Sequence, residues 1–600
     1  MQQDKIRNVT VIAHVDHGKT TMVDEMFKQS GAFREGQDVE ERMMDSMDLE
    51  KERGITIQAK NGAVKYNDYL INIIDTPGHA DFGGEVERVM NMADGVLFLV
   101  DAAEGPMPQS YFVLKKAIEK NLPVIVVINK LDKPAARPDW VVDQVFDLMV
   151  NLNAPDHVLE FPIIYASAKQ GFATLDQSVI TDNINVLFEA IIAEIPSPKG
   201  DANAALQLQV SSIKYSSYLG RLSIGKVSQG NIKVGSEVVI ATPDGILEKK
   251  RISKIYKFEV ANQVVAESAS VGDIIAVAGL DNCTIGQTIT DPNDPQPLPL
   301  PPIDPPTISM LFLPNDSPFA GTEGKFVTSR HLRERLMREL LADVALKVID
   351  DVNGLGYIVS GRGELHLAIL IEKMRREGYE FQVAAPEVIF KEENGTKVEP
   401  YEVLFIEVGT ENQGKVMESL GSRKGEVIHM ESSGDIVKMK YNIPTRGLLG
   451  YFSQFMTESK GMGVMNSTFS EYGPYLGDIK TRTRGVAIVK ENCTTVAYAL
   501  FNLQERIKLF LGPGIKVYEG QVIGENSREG DLTVNPSKGK KLTNVRASGT
   551  DDAVTLVPAV NMTLEKCISY IDKTELVEVT PENIRIRKKF LKEHERKRSN

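Results

Sequence analysis

Apolar runs and amphipathic stretches alternate over the first 200 residues of the chain. The runs "VTVIA", "YLINIID", "GVLFLVD", "VIVVINK" and "FPIIYAS" are typical of buried strands, and helical stretches follow most of them. In the first of these stretches, one helical face carries Met22, Val23, Met26 and Phe27. Strands that alternate with helices predict a mostly parallel, doubly wound sheet covered on both faces. Ligands bind such sheets at the carboxyl ends of the strands.

The pattern changes at "IPSPKGDANA", which marks a linker. Short alternating strands with glycine turns then predict a β-barrel, and a proline cluster ends it. The order β-α-β-β-α-β follows twice and predicts two ferredoxin-like α+β modules. Several domains are expected because one hydrophobic core does not serve a chain of 600 residues. The predicted bounds are 1–200 for the α/β domain, 201–303 for the barrel, 304–385 and 386–480 for the modules, and 481–600 for a C-terminal domain.

Composition narrows the class of protein. The chain has 42% hydrophobic and 25% charged residues, and its apolar runs are far shorter than the roughly 18 residues that cross a bilayer. The N-terminus "MQQDKIRN" lacks the apolar core of a signal peptide. Three scattered cysteines offer neither a disulfide framework nor metal-ligand spacing. These features predict a cytoplasmic protein without membrane contact.

Charge is distributed unevenly along the chain. A net charge of −13 argues against nucleic-acid binding by the whole surface, but two C-terminal stretches are strongly basic. One is the tail "IRIRKKFLKEHERKR", and the other, "PSKGKKLTNVR", contains Lys538, Lys540, Lys541 and Arg546. Both suit contacts with RNA phosphates, and the alternative for each is a solvated surface. Because no aromatic row lies nearby in the sequence, base stacking is not expected.

The stretch "AHVDHGKT" follows the first strand and resembles a phosphate-binding loop. The strict loop reads G-x-x-x-x-G-K-[ST], and here Ala13 stands at its first position. Gly18, Lys19 and Thr20 fill the last three positions, so backbone N–H groups, a lysine and a hydroxyl for Mg²⁺ meet at the start of a helix. The alternative is a chance G-K-T before a helix.

Further motifs follow in the order expected of a GTPase. In "DTPGH", Asp75 is a candidate to bind the Mg²⁺ shell through water, and the Gly78 amide is a candidate to meet the γ-phosphate. The motif "RGITI" contains Thr56, the only threonine between Thr21 and Thr76, and thus the candidate switch hydroxyl for Mg²⁺. Each motif alone also fits an ordinary turn at a strand end. Their combination predicts a P-loop GTPase domain, with GTP as substrate and GDP as product.

Two motifs suit the guanine ring. In "NKLD", the Asp132 carboxylate can accept from both N1–H and N2–H₂ of guanine, a pair of donors that adenine lacks. Asn129 can serve the other edge of the base, and the stem of Lys130 can cover the ring. The motif "SAK" can offer backbone donors to guanine O6 and comprises Ser167, Ala168 and Lys169.

The motifs "AHVDHGKT", "RGITI", "DTPGH" and "NKLD" together resemble those of the translational GTPases, relatives of elongation factors Tu and G. That family uses glycine or alanine at the first loop position, so Ala13 falls within its usage. The resemblance implies a monovalent cation, K⁺, beside Asp16, and a hydrophobic gate formed by Val15 and Ile55. It also implies that His79 positions the hydrolytic water, either as a base or, when protonated, as an electrostatic orienter.

The resemblance completes the set of residues expected around the phosphates. His14 and His17 are interpreted as structural or loop-shaping rather than catalytic. No arginine finger is evident near the motifs, which predicts slow hydrolysis by the protein alone. The expected phosphate-binding residues are Val15, Asp16, His17, Gly18, Lys19, Thr20, Thr21 and Gly78.

Domain order separates the chain from the elongation factors themselves. The stretch "YEFQVAAPEVIFKEENG" leaves no room for the additional domain that elongation factor G has between its two modules, and elongation factor Tu lacks the modules. LepA and the TypA/BipA family share the remaining layout. The stretches "IGENSREGDLTVNPSKGKKLTNVRASGTDDA" and "LVEVTPENIRIRKKFL" resemble the TypA/BipA C-terminal domain, so a family-specific C-terminal domain is expected. A LepA-like elongation factor is the alternative.

The TypA/BipA resemblance implies partners and a cellular role. It implies binding at the factor site between the ribosomal subunits, with contacts to rRNA and ribosomal proteins of both subunits and to the A-site tRNA. It implies ribosome-stimulated hydrolysis and help in assembling the large (50S) subunit, especially in the cold or under stress. The alternative is a GTP-gated RNA-binding assembly factor in which hydrolysis only times release. We expect a monomer, and the sequence leaves open whether ppGpp binds.

Overall fold

The structure is a computed structural model in which the chain divides into two compact units, Met1–Asp304 and Pro305–Asn600. Within the described part of the chain, none of the helices combines the length and the apolar character that a bilayer crossing requires. The described residues are 2–31, 48–53, 56–77, 83–216, 220–300, 305–343, 345–352, 354, 356–479, 482, 484–539 and 555–599.

The first unit begins with an α/β domain. Its strands are β1 (Ile6–Ala13), β2 (Lys60–Tyr66), β3 (Tyr69–Asp75), β4 (Gly95–Asp101), β5 (Val124–Asn129), β6 (Ile163–Ser167) and β7 (Phe172–Thr174). Its helices are α1 (Lys19–Gln29), α2 (Asp48–Arg53), α3 (Gly83–Met90), α4 (Pro108–Glu119), α5 (Pro138–Asn151), α6 (Asp156–Leu159) and α7 (Asn185–Glu194).

The sheet of this domain has the order β2-β3-β1-β4-β5-β6-β7. Strands β3, β1, β4, β5 and β6 run parallel, and the edge strands β2 and β7 are antiparallel to their neighbours. One apolar cluster packs α1 and α7 against one face, and a second packs α3, α4 and α5 against the other. The predicted doubly wound, mostly parallel sheet is therefore confirmed.

An antiparallel β domain completes the first unit. Its strands are β8 (Gln207–Gln209), β9 (Ser212–Ser216), β10 (Gly220–Gln229), β11 (Asn231–Lys233), β12 (Glu237–Thr242), β13 (Gly245–Arg251), β14 (Lys254–Glu259), β15 (Asn262–Ala266), β16 (Ser268–Ser270), β17 (Ile274–Ala278) and β18 (Thr288–Thr290). One cluster draws apolar side chains from strands along the whole sheet, so the sheet curves around its own core, as the predicted barrel requires.

The two domains of the first unit are joined through backbone as well as side chains. The Ala63 amide of β2 donates to the Val260 carbonyl at 3.0 Å, and the Val260 amide donates back to the Ala63 carbonyl at 2.7 Å. A shared apolar cluster includes Ile74 of β3 and Phe258 of β14. The strand that follows Thr56 is thus fastened to the barrel.

The second unit begins with the first α+β module. Its elements are β19 (Ile308–Pro314), α8 (Ser329–Ala342), β20 (Lys347–Asp350), β21 (Tyr357–Gly361), α9 (Glu364–Arg376) and β22 (Phe381–Ala384). The strands have the antiparallel order β20-β21-β19-β22, which the order β-α-β-β-α-β gives in a ferredoxin-like fold.

The second module repeats this arrangement. Its elements are β23 (Glu387–Val388), β24 (Lys391–Glu393), β25 (Thr396–Gly409), α10 (Gln413–Ser422), β26 (Glu426–Ser433), β27 (Ile436–Pro444), α11 (Thr445–Leu448), α12 (Tyr451–Glu458) and β28 (Val464–Pro474). The four long strands have the order β26-β27-β25-β28, and α10 and α12 pack on one face. Both predicted ferredoxin-like modules are present.

The C-terminal strands extend the sheet of the first module. The elements are β29 (Val486–Val489), β30 (Cys493–Thr494), α13 (Ala497–Leu503), β31 (Ile507–Leu509), β32 (Lys516–Val517), β33 (Gln521–Asn526), β34 (Leu532–Val534), α14 (Leu564–Tyr570), β35 (Glu575–Val579), β36 (Ile584–Lys588) and α15 (Glu593–Ser599). Strand β35 pairs with β22 from Phe381–Val579 to Ala384–Leu576, and the two regions share one apolar core.

Three of the eight cations of the basic tail have a structural role that its charge pattern did not predict. Arg585 pairs with Glu578 at 3.3 Å and Glu323 at 2.5 Å, and Lys588 pairs with Glu575 at 2.8 Å. Arg587, only 2% exposed, reaches the carboxylate of an aspartate in the first module. Arg585 and Lys588 neutralise buried carboxylates, and the Arg587 guanidinium is itself enclosed, so the interpretation of these three cations as a phosphate contact or a solvated surface is wrong.

Candidate nucleotide site

The phosphate loop connects β1 to α1 through two left-handed positions. Asp16 has φ of 64° and Gly18 has φ of 93°, and Gly18 is the N-cap of α1. Left-handed residues within such a loop turn successive N–H groups toward one concave side, and the first turn of a helix leaves its N–H groups without intrahelical partners. The Lys19, Thr20 and Thr21 amides therefore begin α1 as donors suited to an anion.

Gly18 is required here for space as well as for its backbone angle. A Cβ at this position would lie 2.4 Å from Nδ2 of Asn129. That nitrogen donates to the His17 carbonyl at 2.9 Å, and Oδ1 of Asn129 accepts from the Ala168 amide at 3.0 Å. Asn129, fully buried, thus ties the phosphate loop to the "SAK" loop, and its role toward guanine stays a prediction.

A further hydrogen bond joins the two guanine motifs. The buried Ser167 hydroxyl donates to Oδ1 of Asp132 at 2.6 Å, which fixes an otherwise exposed carboxylate. Ala168 is buried and Lys169 is exposed at the end of the same strand. The structure therefore brings the "NKLD" and "SAK" motifs together at the carboxyl edge of the sheet.

Lys19, Thr56 and Asp75 form the polar centre of the site. Nζ of Lys19 lies 2.7 Å from Oδ1 of Asp75 and 3.0 Å from Oγ1 of Thr56, and it also contacts the Thr76 carbonyl. The Thr56 hydroxyl donates to Oδ2 of Asp75 at 3.3 Å. Thr56 and Asp75 are buried. A hydroxyl and a carboxylate at one buried point are hard oxygen donors, the kind that Mg²⁺ prefers.

Glu50 holds the segment that carries Thr56, although sequence reasoning did not single it out. Its Oε1 accepts from the Ile57 amide at 2.9 Å and the Gln58 amide at 3.2 Å. Its other oxygen pairs with Lys60 at the start of β2. Because the carboxylate is fully buried, these contacts fix the backbone directly after Thr56. Only the charged run "DLEKER" marks this residue in the sequence.

His17 is part of the domain core rather than of the phosphate surface. Its ring is fully buried, Nδ1 accepts from the Asp101 amide at 3.4 Å, and the His14 ring packs edge-on at 5.2 Å. Burial, together with His14, lowers the pKa of His17 to about 3 against the opposing effect of Asp101. The ring is neutral near pH 7, so only the backbone of His17 is available to a phosphate.

Asp101, at the end of β4, was missed by sequence reasoning. Its Oδ2 lies 2.9 Å from Nζ of Lys130 and 2.7 Å from Nζ of Lys133, and its Oδ1 accepts from the Ala103 amide at 2.8 Å. Burial opposes ionisation of Asp101, but the hydrogen bonds from Lys133, the Ala103 amide and Lys130 outweigh it and lower its pKa to about 2. Asp101 therefore positions the lysine of the "NKLD" motif.

For three further predicted site residues, the structure gives the degree of exposure. Val15 is half-buried, and Asp16 and Lys538 are exposed. The remaining predicted positions lie outside the described residues, so their roles stay predictions: Ile55, Gly78, His79, Lys540, Lys541 and Arg546.

Known protein families match most of the chain. Residues 4–197 match the elongation factor Tu GTP binding domain, and residues 220–290 match elongation factor Tu domain 2. Residues 396–483 match the elongation factor G C-terminus, and residues 484–593 match the TypA/BipA C-terminal domain.

Curated relatives match from end to end. A "Large ribosomal subunit assembly factor BipA" from Escherichia coli (strain K12) is 52% identical over 599 residues, which are 100% of this chain and 99% of that protein. The protein of the same name from Synechocystis is 51% identical over 584 residues, 97% of this chain and 98% of that one. A crystal structure from Thermus thermophilus covers 79% of this chain and 98% of its own, with a TM-score of 0.56 and 17% identity, a likeness in fold alone.

Proposed function

Because the chain belongs to the TypA/BipA family of translational GTPases, we propose that it hydrolyses GTP on the ribosome and assists assembly of the large subunit. The chain is a GTPase, a hydrolase that acts on GTP. One observation carries the proposal: Lys19, Thr56 and Asp75 converge at the start of α1, in a chain that aligns end to end with named assembly factors.

The phosphate end of GTP lies, in this proposal, against the loop between β1 and α1. The Gly18–Thr21 amides donate to the phosphates, and Lys19 exchanges part of its contact with Asp75 for the outer phosphates. Thr20 and Thr56 supply hydroxyls to Mg²⁺, and Asp75 accepts from its water shell. When bound, Mg²⁺ neutralises charge that develops between the β- and γ-phosphates. Asp16 is assigned to K⁺.

The guanine end lies against the "NKLD" and "SAK" loops. Asp132, oriented by Ser167, accepts from the two guanine donors. The Ala168 amide is held by Asn129, so the Lys169 amide is the donor of the "SAK" loop that is assigned to O6. The Lys130 stem covers the ring while Asp101 holds its ammonium group. Asn129 keeps both loops at a fixed separation. This arrangement favours guanine over adenine because only guanine presents both donors to one carboxylate.

Hydrolysis is assigned to a residue that the ribosome brings into place. His79 orients the attacking water, and Val15 and Ile55 keep it from the γ-phosphate until rRNA moves it. Gly78 senses the γ-phosphate. Lys538, Lys540, Lys541 and Arg546 contact RNA backbone, and the wider contact includes ribosomal proteins and the A-site tRNA. The proposed setting is a cytoplasmic monomer that acts on 50S assembly, especially in the cold or under stress.

The decisive experiment measures GTP hydrolysis with and without ribosomes for the wild type and for His79→Ala. We expect strong stimulation of the wild type and little stimulation of the variant. A wild-type rate that ribosomes leave unchanged, or a variant stimulated as strongly as the wild type, would show the mechanism to be wrong. Competition with ppGpp in the same assay tests whether ppGpp binds the same site as GTP.

A second experiment separates catalysis from RNA binding. If hydrolysis only times release, His79→Ala still binds ribosomal particles and restores assembly in a strain that lacks the protein. Neutralising Lys538, Lys540, Lys541 and Arg546 then abolishes restoration and lowers the salt dependence of particle binding. Restoration by the neutralised variant argues against this loop as the RNA contact.

A further inference from the structure

A large cleft opens within the second unit, and no residue of the nucleotide site lines it. It has a volume of about 1120 Å³ and is lined by the second α+β module, the segment after β28 and the strands and helix of the C-terminal region. Among the described residues, nine cationic and six acidic side chains line it, so this lining is positive although the chain as a whole carries a charge of −13. An excess of cations within an acidic protein indicates an anionic ligand.

One wall of the cleft combines aromatic rings with cations. The Phe390 and Tyr475 rings meet edge to face, with centroids 5.7 Å apart. Nζ of Lys397 lies 3.6 Å from the Phe390 centroid and 4.8 Å from the Tyr475 centroid. Arg446, fixed by Glu399, lies 4.7 Å from the Tyr475 centroid. Phe390 is 37% exposed, so a flat ligand can reach this wall.

A second aromatic pair also lines the cleft. Phe510 and Tyr570 meet at 5.3 Å and 89°. Among the described residues, the buried Tyr570 hydroxyl has no hydrogen-bond partner. Burial raises the pKa of Tyr570 well above its ordinary value, so the hydroxyl remains a donor at neutral pH. A buried donor without a partner costs free energy unless a ligand or a water molecule accepts its hydrogen bond.

The cations of the cleft differ in their partners. Arg484 and Lys573 pair with acidic residues of the lining, and the Arg423 guanidinium donates to backbone carbonyls. Arg446 and Arg482 are bound to buried carboxylates and are part of the fold. Lys397, Lys415 and Lys508 form no salt bridge with any described residue, and they stand on three separate elements, β25, α10 and β31. Three lysines on separate elements, one of them over the Phe390 ring, offer phosphate contacts at several points of the lining.

We propose that this cleft binds an unpaired segment of RNA, with the backbone along the lysines and a base against the exposed Phe390 ring. Its volume exceeds the roughly 300–1,000 Å³ of small-molecule pockets, so it accommodates more than one nucleotide. Unpaired RNA is recognised by cationic grooves that carry aromatic platforms. The inference rests on the proposed function, since the ribosome is the source of such a segment.

The test measures binding of a short, fluorescently labelled single-stranded RNA to the full chain by anisotropy. Lys415→Gln with Lys508→Gln should weaken binding about tenfold or more and lower the slope of log affinity against log salt by about 0.7 per lysine. Phe390→Leu should weaken binding about five- to tenfold with the salt slope unchanged, because stacking is not ionic. Lys347→Gln with Lys460→Gln, exposed lysines outside the cleft, is the matched control and should bind as the wild type does.

The outcomes separate this proposal from its alternatives. Equal loss in the cleft and control variants, or equal affinity for duplex RNA, would overturn it in favour of general surface charge. Displacement of the labelled RNA by free mononucleotide at comparable concentration would overturn it in favour of a small-molecule site. If ribosomes stimulate hydrolysis but the cleft variants bind RNA normally, the cleft proposal fails while the proposed function stands.

Discussion

The nucleotide edge of the first unit and the C-terminal sheet of the second unit both place cations against carboxylates, but their exposure differs. At the nucleotide edge, the Lys19 side chain is 10% exposed and those of Lys130 and Lys133 are 25% and 34% exposed. In the C-terminal sheet, the Lys588 side chain is 4% exposed and that of Arg587 is 2% exposed. Partly exposed cations can exchange a carboxylate for a phosphate, whereas enclosed cations cannot leave their partners without a large free-energy cost.

The largest expected effect concerns the enclosed cations. Lys588→Met removes an ion-pair partner of Asp531 and one of the two cations at the fully buried Glu575, which keeps Arg482. The free energy of unfolding of the second unit should therefore fall by about 3 kcal/mol, the lower end of the range for a broken buried pair. Chemical denaturation of the full chain measures this loss. Lys589→Met, an exposed neighbour, is the control and should change stability by no more than about 0.5 kcal/mol. Equal losses in both variants would remove the distinction between the two regions.

The next largest effect concerns chemistry rather than stability. Lys19→Ala should lower ribosome-stimulated hydrolysis about 10²- to 10³-fold, because it removes a cation aimed at the charge of the transferred phosphoryl group. Lys28→Ala, on the same helix and 39% exposed, should leave the rate unchanged. Single-turnover hydrolysis at saturating GTP measures both. A Lys19→Ala rate within twofold of wild type would place the catalytic cation elsewhere.

The buried histidine of the phosphate loop predicts a dependence of stability on pH. The pKa of His17 is about 3 in the folded chain, against an ordinary value of 6.5, so the unfolded state takes up a proton first as the pH falls. The contribution of the neutral His17 ring to the free energy of unfolding is fully present above pH 6.5. It falls by about 1.4 kcal/mol per pH unit as the pH drops from 6.5 toward 3. Comparison of urea unfolding at about pH 7 and about pH 5.5 should show this loss, and His17→Gln should reduce it. His429→Gln, at an exposed histidine, should retain the full loss.

The smallest expected effect separates two ion pairs that join the same two domains. Lys65 meets Glu259 at 2.9 Å with side chains 63% and 53% exposed, and Lys226 meets Asp94 at 3.0 Å with side chains 14% and 13% exposed. Lys65→Met should therefore change the stability of the first unit by no more than about 0.5 kcal/mol. Lys226→Met should lower the stability of the first unit by a larger amount, since water does not screen Asp94. The reverse order in thermal unfolding would contradict exposure as the deciding variable.

Local order in the chain explains what could be predicted. Short periodic patterns of apolar residues predict the apolar face of α1 and the order of elements in the two modules. The structure confirms both. Gly18, Lys19 and Asp75 follow strands whose carboxyl ends meet at one edge, so their neighbourhood could be predicted as well.

Partners far apart in sequence explain what could not be predicted. Asp101 acts through Lys133, which lies 32 residues later and which only the folded sheet brings near. Glu50 acts through the nearby Ile57 and Gln58 amides, but it lies in no recognisable motif. The basic tail was misinterpreted because a count of local charge leaves out Glu323, more than 250 residues earlier. The aromatic pairs of the C-terminal cleft likewise come from separate segments, so the sequence did not indicate them.

The pairing of β22 with β35 also has a consequence during protein synthesis. Ala384 and Glu575 are separated by roughly 190 residues, so the edge of the first module has no partner until nearly the whole chain has left the ribosome. At about 5–20 residues per second, that interval lasts about 10–40 s. A strand edge that stays unpaired for so long can pair with other nascent chains. A chain that is truncated before residue 575 should therefore aggregate rather than form a smaller working enzyme.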